Sequence, residues 1–309
     1  MCKHRAESLA VATLFAPERW MLSNLRLRGF RTHQVRTSVG DVAAVSAKGT
    51  GVLPPMVLLH GLGSAALHLG PLLVRLRKHA QSVLALDLPG HGDSAVPEDG
   101  LTPDSLERGM LEALDSLVLS PSVFVGNSLG GAAALRYTLA RPAQVRSLVL
   151  LSPAGASMGS EDFAQFRASM SVGNRAQARA LIERVFVRPP MPKAMLAWGA
   201  ERKFASPSVR SLLLHSTQAH TFSAAEVRSV SAPSLLLWPK GDKVFPPGCK
   251  EFFATHLRGV SVHEPEDLGH SPYLEDLGAV TETMLRWLYL QHERADSVTE
   301  PAVIEPPLG

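Results

Sequence analysis

Four short runs of consecutive apolar residues organise this chain: Met56-Val57-Leu58-Leu59, Val83-Leu84-Ala85-Leu86, Val123-Phe124-Val125 and Leu148-Val149-Leu150-Leu151. A strand with one wetted face alternates apolar and polar residues, whereas a strand covered on both faces reads as a continuous apolar run, so these four are expected in a parallel sheet buried between helices. Stretches of helical period at about 67–79, 104–119 and 129–140 separate them, and Thr102-Pro103-Asp104 supplies a helix start. Ahead of the first run, His33 to Ser38 and Asp41 to Ala47 are β-prone segments joined by Val39-Gly40, the pattern of a hairpin. Right-handed crossovers between the parallel strands would give a doubly wound sheet with functional groups at the carboxyl ends of its strands.

The alternation stops after Ser152-Pro153. Residues 155–230 have helical character with scattered Met, Phe, Trp and Arg, and no comparable strand occurs until Ser234-Leu235-Leu236-Leu237-Trp238. A helix near 247–256, a short strand at Val260-Ser261-Val262 and a last helix from about Leu274 to Gln291 then complete the pattern. The expected organisation is therefore an N-terminal helical segment (1–30), a first part of an α/β core (31–154), a helical cap insertion (155–230), a second part of the core (231–292) and a disordered Pro-rich tail (293–309).

With 309 residues, 45% of them hydrophobic, the chain can bury a large core. Its two cysteines, Cys2 and Cys249, form neither a disulfide framework nor a metal-ligand pattern, so a reducing, cytoplasmic location and no metal are expected. No run of about eighteen apolar residues is present, which argues against a membrane span. Lys3-His4-Arg5 followed by Leu9 to Ala16 copies part of a signal peptide, but Glu7 and Pro17-Glu18-Arg19 break the pattern. The net charge of +3 conceals seven Lys/Arg against two Asp/Glu in residues 1–36 and ten against five in 155–230. The N-terminal excess surrounds Trp20, Met21, Leu22, Leu25 and Leu27, an amphipathic set expected to pack on the core, with membrane or partner contact as the alternative. The basic residues are not interleaved with stacking aromatics, so nucleic acid is not an expected partner.

Gly126-Asn127-Ser128-Leu129-Gly130 joins an apolar strand to a small-residue helix, a setting that exposes the Ser128 hydroxyl on a sharp turn. Such a nucleophile needs a base and a carboxylate to orient it. His270, in Leu268-Gly269-His270-Ser271-Pro272, lies between the last strand and last helix; Asp242 follows the apolar run ending at Trp238. Glu264 and Asp267 are alternative acids. Two N–H donors must face the oxyanion; Leu129 supplies one at a helix N-terminus, and Leu62 of the loop His60-Gly61-Leu62-Gly63 is expected to supply the other. His60 itself reads as a structural hydrogen-bonder. A competing pattern overlaps this loop. Gly61-Leu62-Gly63-Ser64-Ala65-Ala66, with Asp87 ending the next strand, matches a dinucleotide fingerprint and would suggest an NAD-dependent oxidoreductase. That loop follows an antiparallel hairpin, however, and the reading leaves Ser128, Asp242 and His270 unexplained.

Taken together, His60-Gly61-Leu62-Gly63, Asp87-Leu88-Pro89-Gly90-His91-Gly92-Asp93-Ser94, Gly126-Asn127-Ser128-Leu129-Gly130-Gly131, Asp242 and Leu268-Gly269-His270 resemble the α/β-hydrolase family over about residues 33–290. The resemblance implies a mostly parallel eight-stranded sheet flanked by helices, an inserted helical cap, Ser128, Asp242 and His270 as a triad, a structural His91 and no cofactor. The expected substrate is a small molecule with an acyl ester or thioester bond. C–C bond cleavage, acyl transfer and a non-catalytic ligand-binding or scaffold role are alternatives; Ser271, where C–C hydrolases usually carry Trp, counts against the first. Within the cap, Phe163, Phe166, Trp198, Phe204, His215, His220 and Phe222 are candidates for the substrate wall.

Overall fold

In a computed structural model the described residues are 18–299. Eight strands form one sheet: β1 (Arg31–Thr37), β2 (Gly40–Lys48), β3 (Met56–Leu59), β4 (Ser82–Leu86), β5 (Ser122–Asn127), β6 (Val145–Leu151), β7 (Ser234–Leu237) and β8 (Ser261–His263). Their spatial order is β1-β2-β4-β3-β5-β6-β7-β8. β2 is antiparallel to β1 and β4, and all other pairs are parallel. The expected eight-stranded, mostly parallel α/β architecture is therefore the one observed.

Period-two geometry explains the continuous apolar runs. Met56 and Leu58, Val123 and Val125, and Leu235 and Leu237 point to one face, where they meet Met21 and Leu25 of α1 (Glu18–Leu27), Leu72, Leu73 and Leu76 of α2 (Gly70–Leu76) and Met284 and Leu288 of the last helix. Val57, Leu59, Phe124, Leu148 and Leu236 point to the other face, where α3 (Pro103–Leu117) and α4 (Leu129–Ala140) supply Met110, Leu114, Ala134 and Tyr137. Each apolar strand residue thus enters one of two helix–sheet layers.

Between β6 and β7 lie α5 (Ser160–Met170), α6 (Arg175–Val185), α7 (Lys193–Phe204), α8 (Pro207–His215) and α9 (Ala224–Ser229), with a cluster of their own around Met170, Leu181, Ile182, Leu196 and Ala197. After β7 come α10 (Cys249–His256), β8, the short α11 (Pro272–Glu275) and α12 (Leu277–Thr299).

Two expectations need adjustment. α12 continues beyond residue 292, where a disordered tail was expected to begin, because no helix-breaking Gly or Pro intervenes before Pro301; the expectation for residues 300–309 falls outside the described residues, as does that for residues 1–17. In α1, Met21 and Leu25 are buried in the core while Trp20 and Leu27 are exposed. No helix among the described residues is long and apolar enough to cross a membrane.

Candidate active site

Ser128 follows directly on β5 with φ 55° and ψ −118°, in the positive-φ region that non-glycine residues avoid. The turn is held from both sides: Ser128 N–H donates to Leu151 O (3.0 Å), and Ser128 O accepts from the N–H groups of Gly131, Ala132 and Ala154 (2.9, 3.1 and 3.0 Å). Several backbone contacts over-determine this geometry, as a strained residue requires if it is to persist. The glycines flanking it have a steric reason. A Cβ on Gly126 would lie 2.2 Å from Gly130 O, and one on Gly130 would lie 2.1 Å from Leu59 O.

The loop after β8 brings His270 to the same place. His270 Nδ1 donates to Asp242 Oδ2 at 2.8 Å, and both side chains are almost fully buried. Asp242 comes from the turn after β7, where its Oδ1 accepts the Val244 N–H at 2.8 Å. Burial pushes the Asp242 carboxyl up, but the His270 charge and hydrogen bond, with the Val244 N–H, outweigh it and hold it below the usual aspartate value. Of the alternative acids, Glu264 pairs with Lys250 at 2.7 Å, and it is Asp242 whose carboxylate meets the His270 ring.

Residues not anticipated from the sequence fix the His270 loop. Asn127 Nδ2 donates to Leu151 O (2.9 Å) and to His270 O (3.0 Å), and Ser271 Oγ donates to Asn127 Oδ1 (3.3 Å), so the side chain before Ser128 ties the turn to the His270 backbone. Ser271, which departs from the tryptophan of C–C hydrolases, thus has a partner within the elbow itself. From the helical insertion, Val185 O accepts the His270 N–H at 2.8 Å. Glu275 reaches across to the Gly269 N–H (2.6 Å) and to the Val187 and Arg188 N–H groups (3.2 and 2.5 Å). Phe245 stands edge-on to the imidazole with ring centroids 5.2 Å apart.

Gly61 closes the opposite side. A Cβ there would be only 3.5 Å from Ser128 Cβ, so the loop passes directly over the elbow. His60 is fully buried; its Nδ1 donates to Gly61 O (2.8 Å) and its Nε2 accepts the Leu88 N–H (3.1 Å), an arrangement that only the neutral ring satisfies. Burial, with the nearby His91 charge, lowers its pKa well below the ordinary histidine value. Asp87 accepts the Ala66 and Asp93 N–H groups (2.5 and 3.0 Å) and is 4% exposed. The carboxylate of the dinucleotide-like pattern is thereby used within the fold.

Two cavities meet at Ser128, Leu62 and Met170. One, of about 350 Å³, is bordered by Leu129, Ala132, Phe163, Phe166 and Phe222; the other, of about 200 Å³, by Gly61, Gly63, Phe204, His270 and Tyr273. His220 also borders the larger cavity, so Phe204, His220 and Phe222 lie where wall residues were expected. Trp198 and His215 do not. α7 turns Leu196 and Ala197 inward, which leaves Trp198 48% exposed beneath the Arg202 guanidinium. The exposed His215 ends α8, and its Nδ1 donates back to Ser211 O at 2.8 Å.

The sheet thus brings together a strained serine at a strand-to-helix turn, a histidine that lines the same cavity and is hydrogen-bonded to a buried aspartate, and a glycine loop close to the serine. The chain belongs to the alpha/beta hydrolase family, whose sequence profile matches residues 56–283. Two relatives at 36% identity, from Mycobacterium phage D29 and Caenorhabditis elegans, align over 115 residues, so this chain spans 41% and 26% of their lengths. Lipase 1 of Psychrobacter immobilis is 24% identical over 77% of this chain and 78% of its own. Among solved structures, a membrane phospholipase A is similar with a TM-score of 0.74 and 25% identity over 92% of this chain and 96% of that one. The 2-hydroxy-6-oxo-6-phenylhexa-2,4-dienoate hydrolase of a Rhodococcus strain shares the fold, with a TM-score of 0.71 and 21% identity over 83% and 98% of the chains.

Proposed function

We propose that this protein is a serine hydrolase that cleaves an acyl ester or thioester through an acyl-enzyme on Ser128. The observation that carries the reading is the buried 2.8 Å hydrogen bond from His270 to Asp242, with His270 and the strained Ser128 facing one cavity. In this mechanism His270 Nε2 takes the Ser128 proton as Oγ attacks the carbonyl carbon, while the N–H groups of Leu62 and Leu129 donate hydrogen bonds to the oxyanion. Leu129 begins α4, so its N–H has no acceptor within its own helix and lies at the positive end of the helix dipole. The tetrahedral species collapses as His270 returns the proton to the leaving oxygen or sulfur. Water, deprotonated by the same imidazole, then releases the acid. Asp242 keeps the proton on Nδ1 and stabilises the imidazolium.

A fluorophosphonate probe should label the wild type at Ser128, and Ser128→Ala should abolish both labelling and turnover of short p-nitrophenyl esters. Asp242→Asn should lower kcat by about 10³ to 10⁴-fold. A wild type that neither labels at Ser128 nor turns over any ester would overturn the proposal in favour of a non-catalytic role for the fold, and ester turnover that persists in Ser128→Ala would overturn it in favour of a different nucleophile. Turnover of ring-cleavage dienoates with none of esters would move it to C–C cleavage.

A further inference from the structure

The two cavities at Ser128 are not chemically equivalent. His270, which must hand its proton to the departing alcohol or thiol, borders only the smaller one. On the serine-hydrolase reading above, the leaving group occupies that side and the acyl chain extends into the larger cavity. The floor of the larger cavity is one face of α4: Leu129, Ala132, Ala133 and Arg136, at the i, i+3, i+4, i+7 spacing of a single helical stripe. The two alanines leave the chain room to lie along the helix, under Phe163 and Phe166.

The stripe ends in charge. Arg136 pairs with Glu226 at 2.8 Å, lies 3.8 Å from Glu107, donates to His220 O and stacks 4.3 Å above the Phe222 ring. His220 in turn lies 3.8 Å from Asp104. These groups replace the apolar lining with a polar, partly solvated network. Arg136 is eight residues beyond Ser128, about 12 Å along the axis at roughly 1.5 Å per residue. A fully extended chain advances roughly 1.2 Å per bond, so about ten bonds separate the serine from the charged end.

We propose that the larger cavity is a ruler for the acyl group, with Arg136 and its carboxylate partners marking its end, and that the enzyme selects medium-length chains of about eight to ten carbons. Up to that length each added methylene is buried; beyond it the chain meets ion-paired groups and water.

The test is a series of p-nitrophenyl esters from acetate to palmitate. For the wild type, kcat/KM should climb by about two- to fourfold per methylene to a maximum near the octanoate and decanoate esters, then fall. Ala132→Leu, which fills the middle of the stripe, should lower the decanoate-to-butyrate ratio at least tenfold, with an unchanged melting temperature as the folding control. Arg136→Met should raise palmitate relative to decanoate. Calorimetric binding of free butyrate, decanoate and palmitate to Ser128→Ala measures the ruler without turnover. Preference for decanoate, lost when Ala132→Leu is added, supports it even if every ester proves inert and the hydrolase reading falls. A flat length profile, or an optimum that Ala132→Leu leaves in place, overturns the ruler while short-ester turnover by Ser128 leaves the hydrolase standing.

Discussion

Gly130 and Asn127 do opposite kinds of work beside Ser128. Gly130 is needed for what it lacks: a Cβ there would sit 2.1 Å from the Leu59 carbonyl, which belongs to a central strand and cannot yield. Gly130→Ala should therefore destabilise the fold by about 3 kcal/mol or more, read as a lower urea midpoint. Gly248, at φ 91° with open space around it, makes the contrast; its alanine variant should lose only about 1–2 kcal/mol, from backbone strain alone. Asn127 is needed for its amide, which joins the ends of β5 and β6 to the His270 loop. The glycine spacing and the Ser, Asp, His order were legible in the sequence because each residue follows a strand. The part played by Asn127 was not, since a carboxamide between Gly and Ser has no signature until the 270 loop folds over it.

At the level of elements, the parallel strands were easiest to read because burial on both faces forces unbroken apolar runs. The helices between β6 and β7 were legible as helices but not in orientation, because residues such as Trp198 and Phe204 look alike until the rotation of α7 is known. α3 illustrates a local signal that survives into the fold. Thr102 accepts the Ser105 N–H at 3.1 Å while Ser105 Oγ accepts the Thr102 N–H at 2.9 Å, and Pro103 opens the first turn. Thr102→Ala should cost about 1 kcal/mol. The melting temperature, followed by circular dichroism, should then fall by about 2 °C. Since α3 carries Asp104 and Glu107 to the far end of the larger cavity, its first turn also positions that polar end.

Across the whole molecule, His60 and His91 link stability to pH. Burial chiefly lowers both, His60 well below the usual value, against weaker support from the Gly61 and Pro89 carbonyls. The unfolded chain therefore takes up protons near pH 6.5 that the folded one refuses until lower pH. Their contribution is complete above about pH 6.5 and is lost as pH falls toward the folded values, at up to about 1.4 kcal/mol per pH unit for each ring. Urea midpoints should fall between about pH 7.5 and 5.5, and His60→Gln should reduce that slope even though it lowers the midpoint at every pH.

The sheet itself carries a last consequence. Its interior strands are rich in Val and Leu and would readily template pairing between chains, yet neither border invites it. β1 presents exposed Arg31, Gln34 and Arg36, and β8 is only three residues long with His263 exposed at its end. Charge on one margin and, despite the exposed Val262, brevity on the other discourage a second molecule from adding a strand.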